Sequence, residues 1–122
     1  MTWVVPLPGN EALAHDLAKA IEGRICELDI RRFPDGESYV RLVESVAGDR
    51  VLVVCTLANP DPQILPLALV AGTAREAGAQ RVELIAPYLA YRRQDRAFAA
   101  GEAVSARHFA QLLSGLFYTV TT

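Results

Sequence analysis

The run Val51-Leu52-Val53-Val54-Cys55 constrains this chain more than any other stretch. Five consecutive apolar residues, rich in β-branched valine, leave no polar face. Such a segment reads as a strand buried on both sides. Val82 to Ala86 reads as a second apolar strand of the same kind. Strands covered on both faces belong to parallel sheets with helices packed above and below. The rest of the chain must therefore supply those helices.

It does so in alternation. Val4 to Leu7 is a short apolar run closed by Pro8-Gly9, a strand and then a turn. Asn10 is a good helix N-cap, and Leu13, Leu17 and Ile21, flanked by Ala14 and Ala18, recur at helical spacing until Gly23 stops them. Ile25 to Arg32 reads as a strand, Pro34-Asp35-Gly36 as a turn, and Tyr39, Val40 and Leu42 as the start of the returning strand. Gly48-Asp49 marks another turn before the central run. A helix is expected from about Pro62 to Ala77, ended by Gly78, and another from about Val104 to Ser114. Phe117 to Val120 reads as one last strand. Alternating strands and helices imply an α/β fold with a mostly parallel sheet, broken only by the antiparallel hairpin within 25–42. Ligands of such sheets bind beyond the carboxyl ends of the strands. The loops there are Thr56–Pro62, Pro87–Glu102 and whatever follows Val120.

Composition bounds the partners. Of 122 residues 52% are hydrophobic, enough for one domain that buries roughly two-thirds of its unfolded surface. The formal net charge of -2 gives no global basic field for nucleic acid. The longest apolar stretch, Ile64 to Gly72, is interrupted by Pro66 and falls well short of the roughly 20 residues that span a bilayer. No basic, then apolar, leader opens the chain. Cys26 and Cys55 have no metal-ligand spacing and sit in apolar runs, as buried small hydrophobes do. The expected compartment is the cytoplasm.

Three segments could carry chemistry. In Arg31-Arg32-Phe33-Pro34-Asp35-Gly36-Glu37 the turn accounts for Pro34, Asp35 and Gly36, but not for Phe33 and Glu37. An aromatic flanked by carboxylates could stack on a nucleobase and accept bonds from its exocyclic amine and ribose; both readings stand. In Tyr91-Arg92-Arg93-Gln94-Asp95-Arg96 three arginines follow an apolar strand at its carboxyl end. Guanidinium groups make bidentate contacts to phosphate, and Asp95 could orient an arginine or a magnesium-bound water, whereas a solvated charged loop is the plainer account. In FAAGEAVSAR at 98–107, Ser105 and Arg107 fall early in a helix, where an anion could meet amides and a cation, although the start of a helix alone explains most of the segment. His15 and His108 lie on expected helices as surface or packing residues. There is no GxxxxGK[ST], no GxGxxG and no GxSxG.

Taken together, RRFPDGESYVRL at 31–42 and APYLAYRRQDRAFAAGEAVSAR at 86–107 resemble the ribose-phosphate diphosphokinases, also called phosphoribosyl diphosphate synthetases. The likeness extends through ESVAGDRVLVV at 44–54 and AREAGAQRVELIAPY at 74–88, so it covers nearly the whole chain. The F-x-x-G-E-x-x-S form at 98–105 is more similar to the archaeal-type branch. The resemblance implies a fold like that of type I phosphoribosyltransferases, and transfer of the β,γ-diphosphate of ATP to ribose 5-phosphate with Mg2+. It implies that Phe33 stacks on adenine while Asp35 and Glu37 accept its polar edge from a neighbouring subunit. It implies that Arg93 and Gln94, with Asp95, hold ATP, and that the protein is a homo-oligomer.

The likeness also sets limits. The chain stops at Thr122, just before an Asp-x-His-type segment that helps bind metal and nucleotide in the family. The expectation is one N-terminal ATP-binding-type domain over 1–122, without the second, ribose-5-phosphate domain, without metal ligands or catalytic residues of its own, and inactive alone. TLANPDP at 56–62 departs from the more polar family loop. Two other readings are a phosphoribosyltransferase homologue, opposed by the ATP-type turn at 33–37, and a non-catalytic regulatory subunit, opposed by the intact Phe33, Asp35, Glu37, Arg93 and Gln94.

Overall fold

The computed structural model describes residues 1–91 and 93–122. Strand β1 (Thr2–Pro6) leads into helix α1 (Glu11–Ala20), and strands β2 (Arg24–Ile25), β3 (Leu28–Arg32) and β4 (Ser38–Leu42) follow. Then come β5 (Arg50–Val54), α2 (Asp61–Glu76), β6 (Arg81–Ile85), α3 (Ser105–Leu116) and β7 (Val120–Thr121). Five strands form one parallel sheet in the order β2-β1-β5-β6-β7, and β3 and β4 form a separate antiparallel hairpin.

Strand β5 is the centre. Its register pairs Val4 of β1 with Leu52, and Leu52 with Glu83 of β6. Val51, Val53 and Cys55 face a large core with Leu67, Val70, Ala71 and Ala74 of α2 and Phe109 and Leu113 of α3. Val54 turns the other way and packs with Val4 and with Ala14 and Ala18 of α1. The continuous apolar run thus has the double-sided burial expected of it, with one helix on one face and two on the other. Leu28, Val40 and Leu42 fasten the hairpin to the α2 side of the core.

Three local expectations change. The run Ile25 to Arg32 is not one strand. Arg24–Ile25 pairs parallel to β1, and the chain then leaves the sheet to build the hairpin from Leu28. The last strand begins at Val120 rather than Phe117, because α3 runs on to Leu116 and Phe117 is buried as its C-cap. At the end of α1 the left-handed residue is Glu22, with φ 55, not Gly23. The Gly23 amide closes the turn on the Ala18 carbonyl at 2.8 Å. Glycine is needed there for space, since a Cβ would lie 2.9 Å from the Thr2 carbonyl oxygen.

Polar groups inside the fold are all matched: no buried side-chain nitrogen or oxygen among the described residues lacks a partner. Asn10 makes no capping bond to α1. Its amide nitrogen donates to the carbonyls of Leu7 at 3.1 Å and Pro8 at 3.3 Å. Its oxygen accepts from the Thr56 amide at 2.9 Å and the Thr56 hydroxyl at 2.8 Å. Because β1 and β5 are neighbours whose helices leave on opposite faces, this is the point where strand order reverses, and Asn10 bridges it. Pro66, inside α2, has no N–H for the Pro62 carbonyl, and Arg32 of the hairpin donates to that carbonyl instead at 3.1 Å. Glu83, 6% exposed in the middle of β6, accepts from Arg50 Nε and, at 2.9 Å, from the Thr119 hydroxyl.

Asn10→Ala is expected to cost about 1–3 kcal/mol, because the part-buried Thr56 amide loses its acceptor. Asn10→Asp keeps that acceptor and should fall between Asn10→Ala and the parent in chemical denaturation. A stability for Asn10→Ala equal to that of the parent would show that the bridge carries no weight. The hydrogen bond from Arg50 holds the Glu83 carboxyl below its ordinary pKa of 4.5, against the opposing effect of burial. A carboxyl lowered in the folded state contributes stability that is complete above its unfolded pKa and is lost as pH falls through the folded value. Glu83→Gln should therefore lower stability at pH 7 by about 1–3 kcal/mol, with solvent at the half-exposed Arg50 keeping the figure modest. Thermal midpoints of parent and variant measured from pH 7 to pH 3 should converge as acid is added.

Candidate functional site

All five sheet strands run parallel, so their carboxyl ends share one edge. The loops after β5 and β6 meet there. The Leu57 amide donates to the Tyr88 carbonyl at 3.1 Å, which ties the first loop to the second. Between them lies a cavity of about 400 Å³ lined by residues that include Asn59, Asp61, Tyr88, Tyr91, Arg93 and Gln94. Two of the residues expected to hold nucleotide, Arg93 and Gln94, thus stand together at the edge where α/β sheets bind ligands. The cavity combines a guanidinium, two amides and two tyrosine rings. That set can hold phosphate oxygens and the polar edge of a ligand.

Gln94 is also part of the loop's own frame. Its side-chain nitrogen donates to the Arg96 carbonyl and to a carboxylate oxygen of Glu102, each at 3.1 Å. Its carbonyl accepts the Ala106 amide at the start of α3, also at 3.1 Å. Asp95 is exposed and does not line the cavity. The Arg96 guanidinium lies 4.8 Å from the centre of the Phe98 ring. Arg92, the third arginine of the run, lies outside the described residues.

The turn at 33–37 is built as expected. The Gly36 amide bonds the Phe33 carbonyl at 2.8 Å, and Gly36 takes a left-handed φ of 93. Asp35 accepts the Glu37 amide at 3.1 Å. Phe33 is 47% exposed and meets Tyr39 edge-on at 5.9 Å, while Arg31 lies 4.5 Å over the same tyrosine ring. Phe33, Asp35 and Glu37 contribute nothing to the Arg93 cavity. Within a single chain the 33–37 turn and the Arg93 cavity are therefore separate.

Asn59, Asp61, Tyr88 and Tyr91 are the lining residues that sequence reasoning did not single out. The departure of TLANPDP from a polar loop directed attention away from Asn59 and Asp61. Ser105 and His108 line a neighbouring, mainly apolar cavity of about 450 Å³ with Ile64, Phe109 and Leu112. Cys55 is no nucleophile: burial pushes its thiol up to about 11, and its Sγ donates to Gln63 Oε1 at 3.1 Å. No group of three or more His, Cys, Asp or Glu side chains among the described residues could hold a metal ion. No helix among the described residues is long and apolar enough to cross a membrane.

The family described as the N-terminal domain of ribose phosphate pyrophosphokinase matches residues 3–116. A ribose-phosphate pyrophosphokinase of Saccharolobus solfataricus is 41% identical over 106 residues, 86% of this chain and 36% of that protein. One from Pyrococcus furiosus is 42% identical over 108 residues, 83% of this chain and 38% of that protein. The chain thus spans little more than a third of the length of these relatives. The crystal structure of phosphoribosylpyrophosphate synthetase from Mycobacterium smegmatis superposes with a TM-score of 0.79 at 26% identity, over 98% of this chain and 47% of that one. A purine phosphoribosyltransferase from Pyrococcus horikoshii Ot3 shares the fold alone, with a TM-score of 0.54 at 12% identity over 70% of this chain and 57% of that one. The match across 3–116 and the identity to the archaeal enzymes, on a sheet that superposes with the synthetase, place the chain in the ribose-phosphate pyrophosphokinase family, of which it carries the N-terminal domain.

Proposed function

We propose that this chain is the ATP-binding N-terminal domain of a ribose-phosphate diphosphokinase that makes phosphoribosyl diphosphate and AMP from ATP and ribose 5-phosphate. The observation that carries the reading is the Arg93–Gln94 pair in the cavity at the carboxyl edge of β5 and β6. In this reading Arg93 binds phosphate oxygens of ATP and Gln94 orients the nucleotide beside it. Phe33, half-exposed at the tip of the hairpin, stacks on adenine, and Asp35 and Glu37 accept from its polar edge. Because the 33–37 turn does not reach the Arg93 cavity of its own chain, a second copy supplies it, and the working protein is a homo-oligomer. Ribose 5-phosphate and the catalytic groups belong to a further domain, and the whole acts in the cytoplasm.

Transfer of a diphosphoryl group builds charge on phosphate oxygens, so positioning and cations supply most of the rate. Arg93 provides a fixed positive charge at the nucleotide. No group of three or more His, Cys, Asp or Glu side chains among the described residues could hold magnesium by itself, so in this reading the ion comes with the phosphates of ATP and keeps several of its waters. Asp95, exposed beside Gln94, would hold such a water. The ion, when bound, neutralises charge on the phosphates being transferred.

The test is AMP formation by the purified full-length gene product supplied with ATP, Mg2+ and ribose 5-phosphate. AMP should appear only with ribose 5-phosphate, and Arg93→Ala should lower kcat/KM by about a hundredfold or more. A folded full-length protein that forms no AMP would sink the proposal and turn attention to a phosphoribosyltransferase or a regulatory subunit.

A further inference from the structure

Tyr91 holds a backbone conformation that its sequence position does not demand. Its φ is 65, in the left-handed region, where a residue with a Cβ stands about 1–2 kcal/mol above the right-handed form. Such a residue persists only where its surroundings over-determine it. Here two contacts do so. The ring lies against Phe109 of α3, with centroids 4.8 Å apart and planes tilted by 47°. The phenol oxygen donates to the carboxylate of Asp61.

Asp61 is a firm anchor. It is the first residue of α2, where a carboxylate suits the helix dipole, and the Pro60 carbonyl before it accepts the amides of Gln63 at 2.8 Å and Ile64 at 3.0 Å. Tyr91 also lines both cavities at this edge. It stands on the polar one with Asn59, Arg93 and Gln94, and on the apolar one with Ile64, Phe109 and Leu112. Tyr91 thus shares the polar cavity with Arg93 and Gln94 while being held from the side of α2 and α3.

We propose that Tyr91 is a positioning residue, pinned by Asp61 and Phe109, that sets the Arg93–Gln94 loop in the conformation that receives ATP. The inference rests on the ATP reading of that loop, but the pin can be tested apart from it. Tyr91→Phe removes only the phenol oxygen, Asp61→Asn only the charged acceptor, and the double variant shows whether they act as a pair.

In the full-length gene product each single variant should be cut by trypsin after Arg93 and Arg96 at least about fivefold faster than the parent. Each should raise the KM for ATP by about tenfold while leaving kcat within about twofold, and the double variant should do no worse than either single one. A purely structural role would lower the thermal midpoint without separating KM from kcat. Unchanged cleavage would overturn the pin, and so would faster cleavage with an unchanged KM for ATP. If the parent forms no AMP, the ATP reading fails, while faster cleavage in both single variants and no further gain in the double one still upholds the Asp61–Tyr91 pin.

Discussion

The burial of β5 on both faces organises everything else in this domain. A strand with no polar side must have neighbours on both edges and helices on both surfaces. Its partners β1 and β6 run parallel to it, and each parallel neighbour reached through a helix requires a crossover. That arrangement sends every strand's carboxyl end to the same edge. The loops after β5 and β6 become neighbours there, and their side chains share one cavity. The location of the candidate site follows from the way the core is made.

Polar groups then decide which parts of that edge are open. The reversal of strand order between β1 and β5 is where ligands commonly enter such sheets. Asn10 bonds Thr56 across the crevice there, and the cavity that Arg93 and Gln94 line lies one strand further on, between β5 and β6. Similar matching attaches the hairpin. The carbonyl that Pro66 leaves without a donor is taken by Arg32, so a proline that would otherwise weaken α2 becomes a docking point for the hairpin that carries Phe33. On the amino-terminal side of the sheet, Glu83 interrupts an otherwise apolar strand. Arg50 and Thr119 satisfy it from both neighbouring strand ends, which keeps its charge tolerable in the sheet.

Much of the candidate site was legible in the chain. The arginine-rich run after β6 is legible as an anion-binding candidate at the sheet's carboxyl edge, while Arg93 and Gln94 are singled out within it by the family resemblance. Pro34-Asp35-Gly36 specifies its turn through fixed φ, a side-chain acceptor and a left-handed glycine, and that turn formed. Asp61 and Tyr91 were not legible, since each acquires meaning only from the other, 30 residues away. The Asp61–Tyr91 bond joins a helix start to a loop on the next strand, and nothing in either local sequence specifies that meeting. The same holds for Asn10, whose residue type signals a helix cap while its actual partner, Thr56, lies 46 positions on.

By itself the sequence determined the class of fold and most of the order of its elements, and it marked the segments at 31–42 and 86–107 as candidates for chemistry. It could do so because apolar periodicity, turn chemistry and charge are local properties. Only the tertiary structure decided where Ile25–Arg32 splits between sheet and hairpin, that Glu22 rather than Gly23 takes the left-handed turn, and that the hairpin tip stands apart from the Arg93 cavity. Those outcomes depend on pairing and space between residues remote in sequence. Strand register, the room beside the Thr2 carbonyl and the meeting of two loops exist only once β1, β5 and β6 lie side by side.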